Sequence, residues 1–494
     1  MSNEIKADYD QQYVLPPSLE DWVPEDHPVR FIRMFVDSMD LEGMGFRERE
    51  SEEGRPNYSN DMLLKIWLHG YFEKIYSTRS LEKACKVQLP LIWLTGMHYP
   101  DHNTLWRFFR NNRKVLKKVF VHSVKVALKG DLVGLVLQAI DGTKIVADAS
   151  RRRSLHWKNL KALLGKLEES LDDVFDEIEE NEEKESCDPG YKLPLRLQDK
   201  EELERFISDG IKELSQDEKR SLKEEVEEGL DELDEGETEH LNLTDSESRM
   251  MKNGRQIDFC YNAQAVIDEK KQVIVAASVT SEGLDNHQLT GMLDEAKENT
   301  GGIPEETISD SGYFSGEELK KAEEKGYSVL VNIPANVGSY PAKKDDSFGK
   351  KKFIYDSEKD VYICPKGCSL IFEKESKRER YKSRIYRCKQ AKDCAFRFQC
   401  SKDKRGRSIE RTPYDECILR QVEKQKDAGK KELLSRRKKI AEPVFGWIKR
   451  NNKFSRWTFR GLGSVDAQWQ LLCTTVNLKK LFSRWVDGVY VFAL

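Results

Sequence analysis

Long apolar runs are missing from this 494-residue chain. No stretch approaches the roughly 18 to 20 residues that cross a bilayer as a helix, which excludes a helical membrane protein. The opening MSNEIKADYDQQ lacks the basic and apolar regions of an export signal. Cysteine is sparse as well. Ten in the whole chain cannot scaffold a fold of this size, and five of them fall between Cys364 and Cys400. Reduced thiols in a cytoplasmic protein are expected, and the local cluster raises the question of metal. Also absent are a Walker phosphate loop, a G-x-G-x-x-G fingerprint and an H-E-x-x-H helix, which removes several common enzyme classes.

Charge is abundant, and the net value of −4 conceals its segregation. Residues 168–185 carry 11 acidic side chains and one basic, whereas residues 377–411 carry 14 Lys or Arg against 4 Asp or Glu. A polyanion is the natural partner of the second stretch.

Residues 1–28 read as a polar, proline-containing arm. Residues 29–130 read as helical, with short connections of the helix-turn-helix kind and one long helix from about residue 100 to 128. Arg107, Arg110 and Arg113 recur every three residues there. Such a row suits DNA phosphates or base edges, and it equally suits a solvated helix face. Residues 132–150, LVGLVLQAIDGTKIVADAS, form an apolar run around one aspartate, with Leu135, Val136 and Leu137 at the head of a strand buried on both faces. Asp141 in that strand needs a cation, a proton or a turn that reaches water. A turn before Gly142 is the bland alternative.

Residues 151–250 repeat leucines at helical spacing on a strongly acidic background, so they read as a helical hairpin inserted into the domain Asp141 begins. From Gln256 the period changes to two, giving a hairpin that turns at residues 268–271. Helix, strand ending in Asp310, helix and strand follow, an α/β pattern on a mixed sheet. Residues 335–430 form a basic, cysteine-rich β-insertion. There Tyr381, Tyr386, Phe396 and Phe398 either face nucleic acid or fill a small core. Residues 431–494 return to helix, where Pro443 implies either a helix start or a kink beside Glu442.

Asp141, Asp310 and Glu442 thus stand at or near element ends, and three carboxylates suit hard Mg²⁺ or Mn²⁺ ions. Two such ions about 3.5–4 Å apart clamp a phosphodiester for in-line attack. The blocks GRPNYSNDMLLKIWLHGY, AIDGTKIVADAS, SDSGYFS and EPVFGWIKRNNKFSRWTFRGLGSVDAQWQLLCTTVNLKKL carry a resemblance to bacterial insertion-sequence DDE transposases. That resemblance implies a ribonuclease-H-like core over 131–334 and 431–494, with Asp141, Asp310 and Glu442 as catalytic and metal-binding acids. EPVF favours Glu442 over nearby Glu432. It also implies terminal repeats and target DNA as double-stranded partners, a homodimer on DNA, and a nucleoid-associated location. Lys144, Arg436, Arg437, Lys449 and Arg450 are then candidate phosphate contacts.

Cys364, Cys368, Cys388, Cys394 and Cys400 offer four ligands from five for a structural Zn²⁺. Their spacing departs from the tight pairs of a zinc ribbon, and unligated thiols in a basic insertion are the alternative. A catalytically silent DNA-binding regulator derived from a transposase, or a metal-dependent nuclease without strand transfer, would share most of these features.

Overall fold

The computed structural model describes residues 18–46, 57–150, 154–170, 219–224, 226–227, 230, 240–242, 244–334, 348–377 and 381–488. Residues 171–218 of the expected acidic hairpin lie outside them.

The arm is not wholly extended. Ser18 closes a capping box on a single turn, α1 (Leu19–Trp22), and His27 caps α2 (Pro28–Asp37). The helices α3 (Leu41–Met44), α4 (Asn60–Phe72), α5 (Thr78–Val87) and α6 (Leu89–Thr95) follow. The expected long helix is two, α7 (His102–Asn111) and α8 (Arg113–Lys129). Asn112 breaks it by turning its side-chain amide onto the Phe108 carbonyl at 2.8 Å. Asparagine competes for backbone groups in this way, so consecutive asparagines are a weak point in any helix.

The main sheet grows from β1 (Leu137–Val146), β4 (Arg249–Asn253), β5 (Gln256–Asp268), β6 (Ile274–Thr280), β7 (Glu306–Ser309) and β8 (Val329–Val331). Its order is β4-β5-β1-β7-β8, with β6 also paired to β5. β1 is antiparallel to β5 and parallel to β7, and β8 is parallel to β7. Leu135 and Val136 precede β1 rather than belong to it: Leu135 has φ +52° and Val136 is exposed. β8 is an edge, and its open backbone groups are covered. Gln421, from the helix Asp415–Lys424, and Gln425, its C-cap, donate to the Val329 and Val331 carbonyls at 2.8 and 2.6 Å.

The helix Leu462–Val486 runs almost wholly buried between α4, α8 and the sheet. Its polar side chains bond in both directions. Asn477 pairs with both backbone groups of Ile274 at 2.9 Å and reaches Ser123, and Gln468 reaches the Tyr71 hydroxyl at 2.8 Å. Trp469 donates to the Gln264 carbonyl at 2.9 Å. The hydrophobic core therefore runs without a break from Phe31 in the helical layer through the sheet to Leu481. Burying each large apolar side chain there contributes about 1.5–3 kcal/mol.

Two excursions leave this body. The acidic one departs and returns through a short ladder, β2 (Ser154–His156) against β3 (His240–Asn242), beside the helix Trp157–Ser170. The basic one is an antiparallel sheet of five strands: β9 (Ile354–Asp356), β10 (Val361–Ile363), β11 (Ser369–Lys377), β12 (Lys382–Cys388) and β13 (Ser408–Arg411). Its small core includes Tyr362, Leu370, Tyr386 and Ile409. The aromatic residues divide: Tyr386 is core, whereas Phe398 is 89% exposed.

Candidate active site

Strand register brings the first two acids together. Ala139 lies opposite Ile308 in the parallel pairing of β1 and β7. Two residues further on each chain stand Asp141, still in β1, and Asp310, just past β7. The turn reading of Asp141–Gly142 is overturned, because pairing with β5 continues unbroken from Gln138 to Val146. Asp310 caps the 3₁₀ turn Ser311–Tyr313 and accepts from the Gly312 N–H at 2.8 Å.

The cation that Asp141 requires is Arg437. Its Nη1 lies 2.6 Å from Asp141 Oδ2, while Asp141 Oδ1 accepts from the Gly142 N–H at 3.0 Å. Burial nevertheless raises the Asp141 pKa to about 6; Arg437 opposes that shift and the charge of Asp310 adds to it.

Arg437 belongs to the helix Ala428–Gly446, which passes through Pro443 and continues into a π turn, Trp447–Asn451. A helix start at Pro443 is thus excluded. Proline in a helix interior costs about 3 kcal/mol, partly because the carbonyl four residues earlier loses its donor. Here that carbonyl, Lys439 O, accepts from Gln272 Nε2 at 2.9 Å. Glu442 is exposed, five residues beyond Arg437 and so roughly 140° around the helix from it. Among the described residues no three His, Cys, Asp or Glu side chains converge as a metal-holding group. The structure joins Asp141 to Asp310 and leaves Glu442 to one side.

A third acid lies beside the Asp310 turn. Asp285, in the loop between β6 and the helix Leu289–Thr300, accepts from Asn262 Nδ2 and Gln264 Nε2, each at 2.7 Å, through Oδ1. Lys144 Nζ lies 3.4 Å from Oδ2. The Tyr313 hydroxyl donates to Gln264 Oε1, and burial among these carboxylates raises the Tyr313 pKa. The sequence offered one signal for this network: Asn262 and Gln264 are amides two apart in an otherwise apolar strand. Asp285 itself sits in an aperiodic loop and gave none.

Most of the expected phosphate contacts are engaged internally. Arg436 pairs with Glu269, Arg437 with Asp141, and Lys144 with Asp285. Lys449 donates to the Lys144 carbonyl at 2.9 Å, and its burial lowers its pKa. Arg450 is exposed. Of the helical row, Arg107 and Arg110 sit on α7, while Arg113 opens α8 and donates to Ser464 Oγ at 3.0 Å. The break at Asn112 therefore splits the row.

Cys364, Cys368, Cys388, Cys394 and Cys400 all line one small cavity of about 30 Å³ in the antiparallel sheet. Cys364 Sγ accepts from the Lys366 and Cys368 N–H groups at 3.3 and 3.2 Å, with Gly367 at φ +84° making the turn. A structural zinc needs four thiolates drawn together. Burial raises the pKa of Cys368, Cys388 and Cys400, and the five thiols share this cavity closely enough that Cys364 and Cys394 add to the rise. No three of them stand as a formed metal-holding group.

A family model described as a transposase DDE domain matches residues 363–482, a span that holds Glu442 but neither aspartate. A second, described as a transposase domain (DUF772), matches residues 17–111 in the helical layer. No curated protein matches the chain. The two matches, both to transposase domains, indicate an insertion-sequence DDE transposase.

Proposed function

We propose that this transposase binds the ends of its own element and carries out divalent-metal-dependent cleavage and strand transfer of double-stranded DNA, with Asp141, Asp310 and Glu442 as its acids. One observation carries the reading: Asp141 and Asp310 each stand two residues beyond the paired Ala139 and Ile308 of adjacent parallel strands, with Asp141 half-buried and balanced by a side-chain cation. The order β6-β5-β1-β7-β8, three strands antiparallel and two parallel, supports a ribonuclease-H-like core.

The donor set fits Mg²⁺ or Mn²⁺, which take carboxylate oxygens and commonly need only one or two protein carboxylates besides water and phosphate. Asp141 and Asp310 would hold the ions, with Glu442 completing the set. Bound metal supplies an activated water or 3′-hydroxyl and stabilises the leaving oxygen. Arg437 keeps Asp141 ionised when no metal is present. Arg107, Arg110 and Arg450 hold the DNA backbone. Two element ends brought together favour a homodimer on DNA.

The test is incubation of the purified chain with Mg²⁺ or Mn²⁺ and a plasmid carrying both element ends. Nicking and end joining that vanish in Asp141→Asn and Asp310→Asn, with DNA binding kept, support the reading. Unchanged products in those variants sink it. Glu442→Gln compared with Glu432→Gln decides which glutamate serves.

A further inference from the structure

We infer that Asp285 is a third acid of this site, a positioning residue that fixes the Asp310 turn and neutralises Lys144 so that a divalent cation can bind. The inference rests on the metal-site reading above and adds a residue to it.

Three observations carry it. First, one oxygen is pinned and the other is turned toward the site. Asp285 Oδ1 takes both amide bonds, while a methyl group built at Gly312 would lie 3.2 Å from Asp285 Oδ2 and 3.0 Å from Asp310 Oδ1. The two carboxylates thus flank one point, and a glycine keeps it open. Carboxylates that serve metals are held by such outer hydrogen bonds.

Second, the same contacts run to both acids. Gln264 lies across from Gly142 in the β1–β5 ladder and accepts from Tyr313, which ends the turn that Asp310 caps. Asp285 therefore reaches the backbone beside Asp141 and the backbone beside Asp310 through a single amide. Third, buried acceptors near the site lack donors. Asn262 Oδ1 and Ser309 Oγ, both on fully buried side chains, have no hydrogen-bond partner. Ser309 immediately precedes Asp310, and Asn262 is bonded to Asp285. Polar atoms left in this state are costly and suit a site that receives a cation or its water.

Lys144 gives Asp285 its second task. Lys144 stands three residues along β1 from Asp141; its ammonium would repel a divalent ion at the site, and Asp285 is the carboxylate to which it turns.

The experiment is calorimetric titration of the full-length chain with Mn²⁺ alone, alongside thermal melting, for wild type, Asp285→Asn and Asp141→Asn. Asparagine keeps the size of the side chain and removes the charge. Asp285→Asn is expected to weaken Mn²⁺ binding by about tenfold or more while melting near the wild-type temperature. A second variant, Asp285→Glu, should restore part of the affinity. Wild-type affinity in Asp285→Asn, together with loss in Asp141→Asn, overturns the role of Asp285 and leaves the site reading intact. A wild-type chain that binds no Mn²⁺ overturns both.

Discussion

The mixed sheet sets its site carboxylates over a core that extends from Phe31 to Leu481, whereas the antiparallel sheet of residues 354–411 closes over nine buried residues. Both hold charge in confined places. In the mixed sheet, Asp141 is offset by a side chain from 296 positions away, and the surrounding packing absorbs the cost of burying it. The antiparallel sheet instead ties its charges locally: Arg384 to Asp360, and Arg387 to Glu373 and Asp403. The difference teaches where each can tolerate change. Both leave buried polar atoms unbonded, Asn262 Oδ1 and Ser309 Oγ in the mixed sheet and Arg407 Nε in the antiparallel one, and the larger core has more packing to offset them.

The largest effect expected from breaking this contrast is chemical. Asp141→Asn should reduce DNA cleavage to background while leaving the melting temperature at or above that of wild type, since a buried charge with a raised pKa disfavours folding at neutral pH. A clear drop in melting temperature would mean that the Arg437 pair holds the fold together.

Next come the two cores. Trp469→Ala should destabilise the whole body by about 3–5 kcal/mol, read by denaturant unfolding. Tyr386→Ala should loosen only the antiparallel sheet, so that hydrogen exchange rises over 354–411 while β1 and β5 stay protected. A single transition that moves equally in both variants would make the two sheets one cooperative unit.

A pH series sharpens the electrostatic half. The Asp141 carboxyl titrates near 6 in the folded chain and near 3.8 ordinarily. Between those values the native state keeps a proton that the unfolded state has lost. The contribution of this group to stability therefore falls as pH rises through that window. Metal needs the ionised form, so Mn²⁺ affinity should fall by up to about tenfold per unit below pH 6, and the dependence should vanish in Asp141→Asn.

The smallest effect expected is from chelation. If its thiols are unligated, the antiparallel sheet should keep its melting behaviour in chelator. Stoichiometric zinc in the purified chain, with loss of that sheet on its removal, would reverse the expectation.

What the sequence made legible follows from periodicity. The apolar run around Asp141, the two-residue period of β5 and the strand before Asp310 were readable because a buried strand leaves a pattern in its own residues. Asn112 was misread because the helical period of the apolar residues runs straight across it. Pro443 was ambiguous because its remedy, Gln272, lies in a different hairpin. Asp285 and the Arg437–Asp141 pair were invisible for the same reason: a loop has no period, and a contact between distant positions leaves no local trace.

The ladder joining β2 to β3 has a consequence for how this chain can be shortened or lengthened. His156 and His240 face each other as register partners, so the 83 residues between them enter and leave through one gate a few ångströms wide. The ladder ties the two ends of that excursion to each other. A two-residue Asn-Gly turn set between His156 and His240 would close the gate as an ordinary hairpin, and the trimmed chain should still present Asp141 and Asp310 as the full one does.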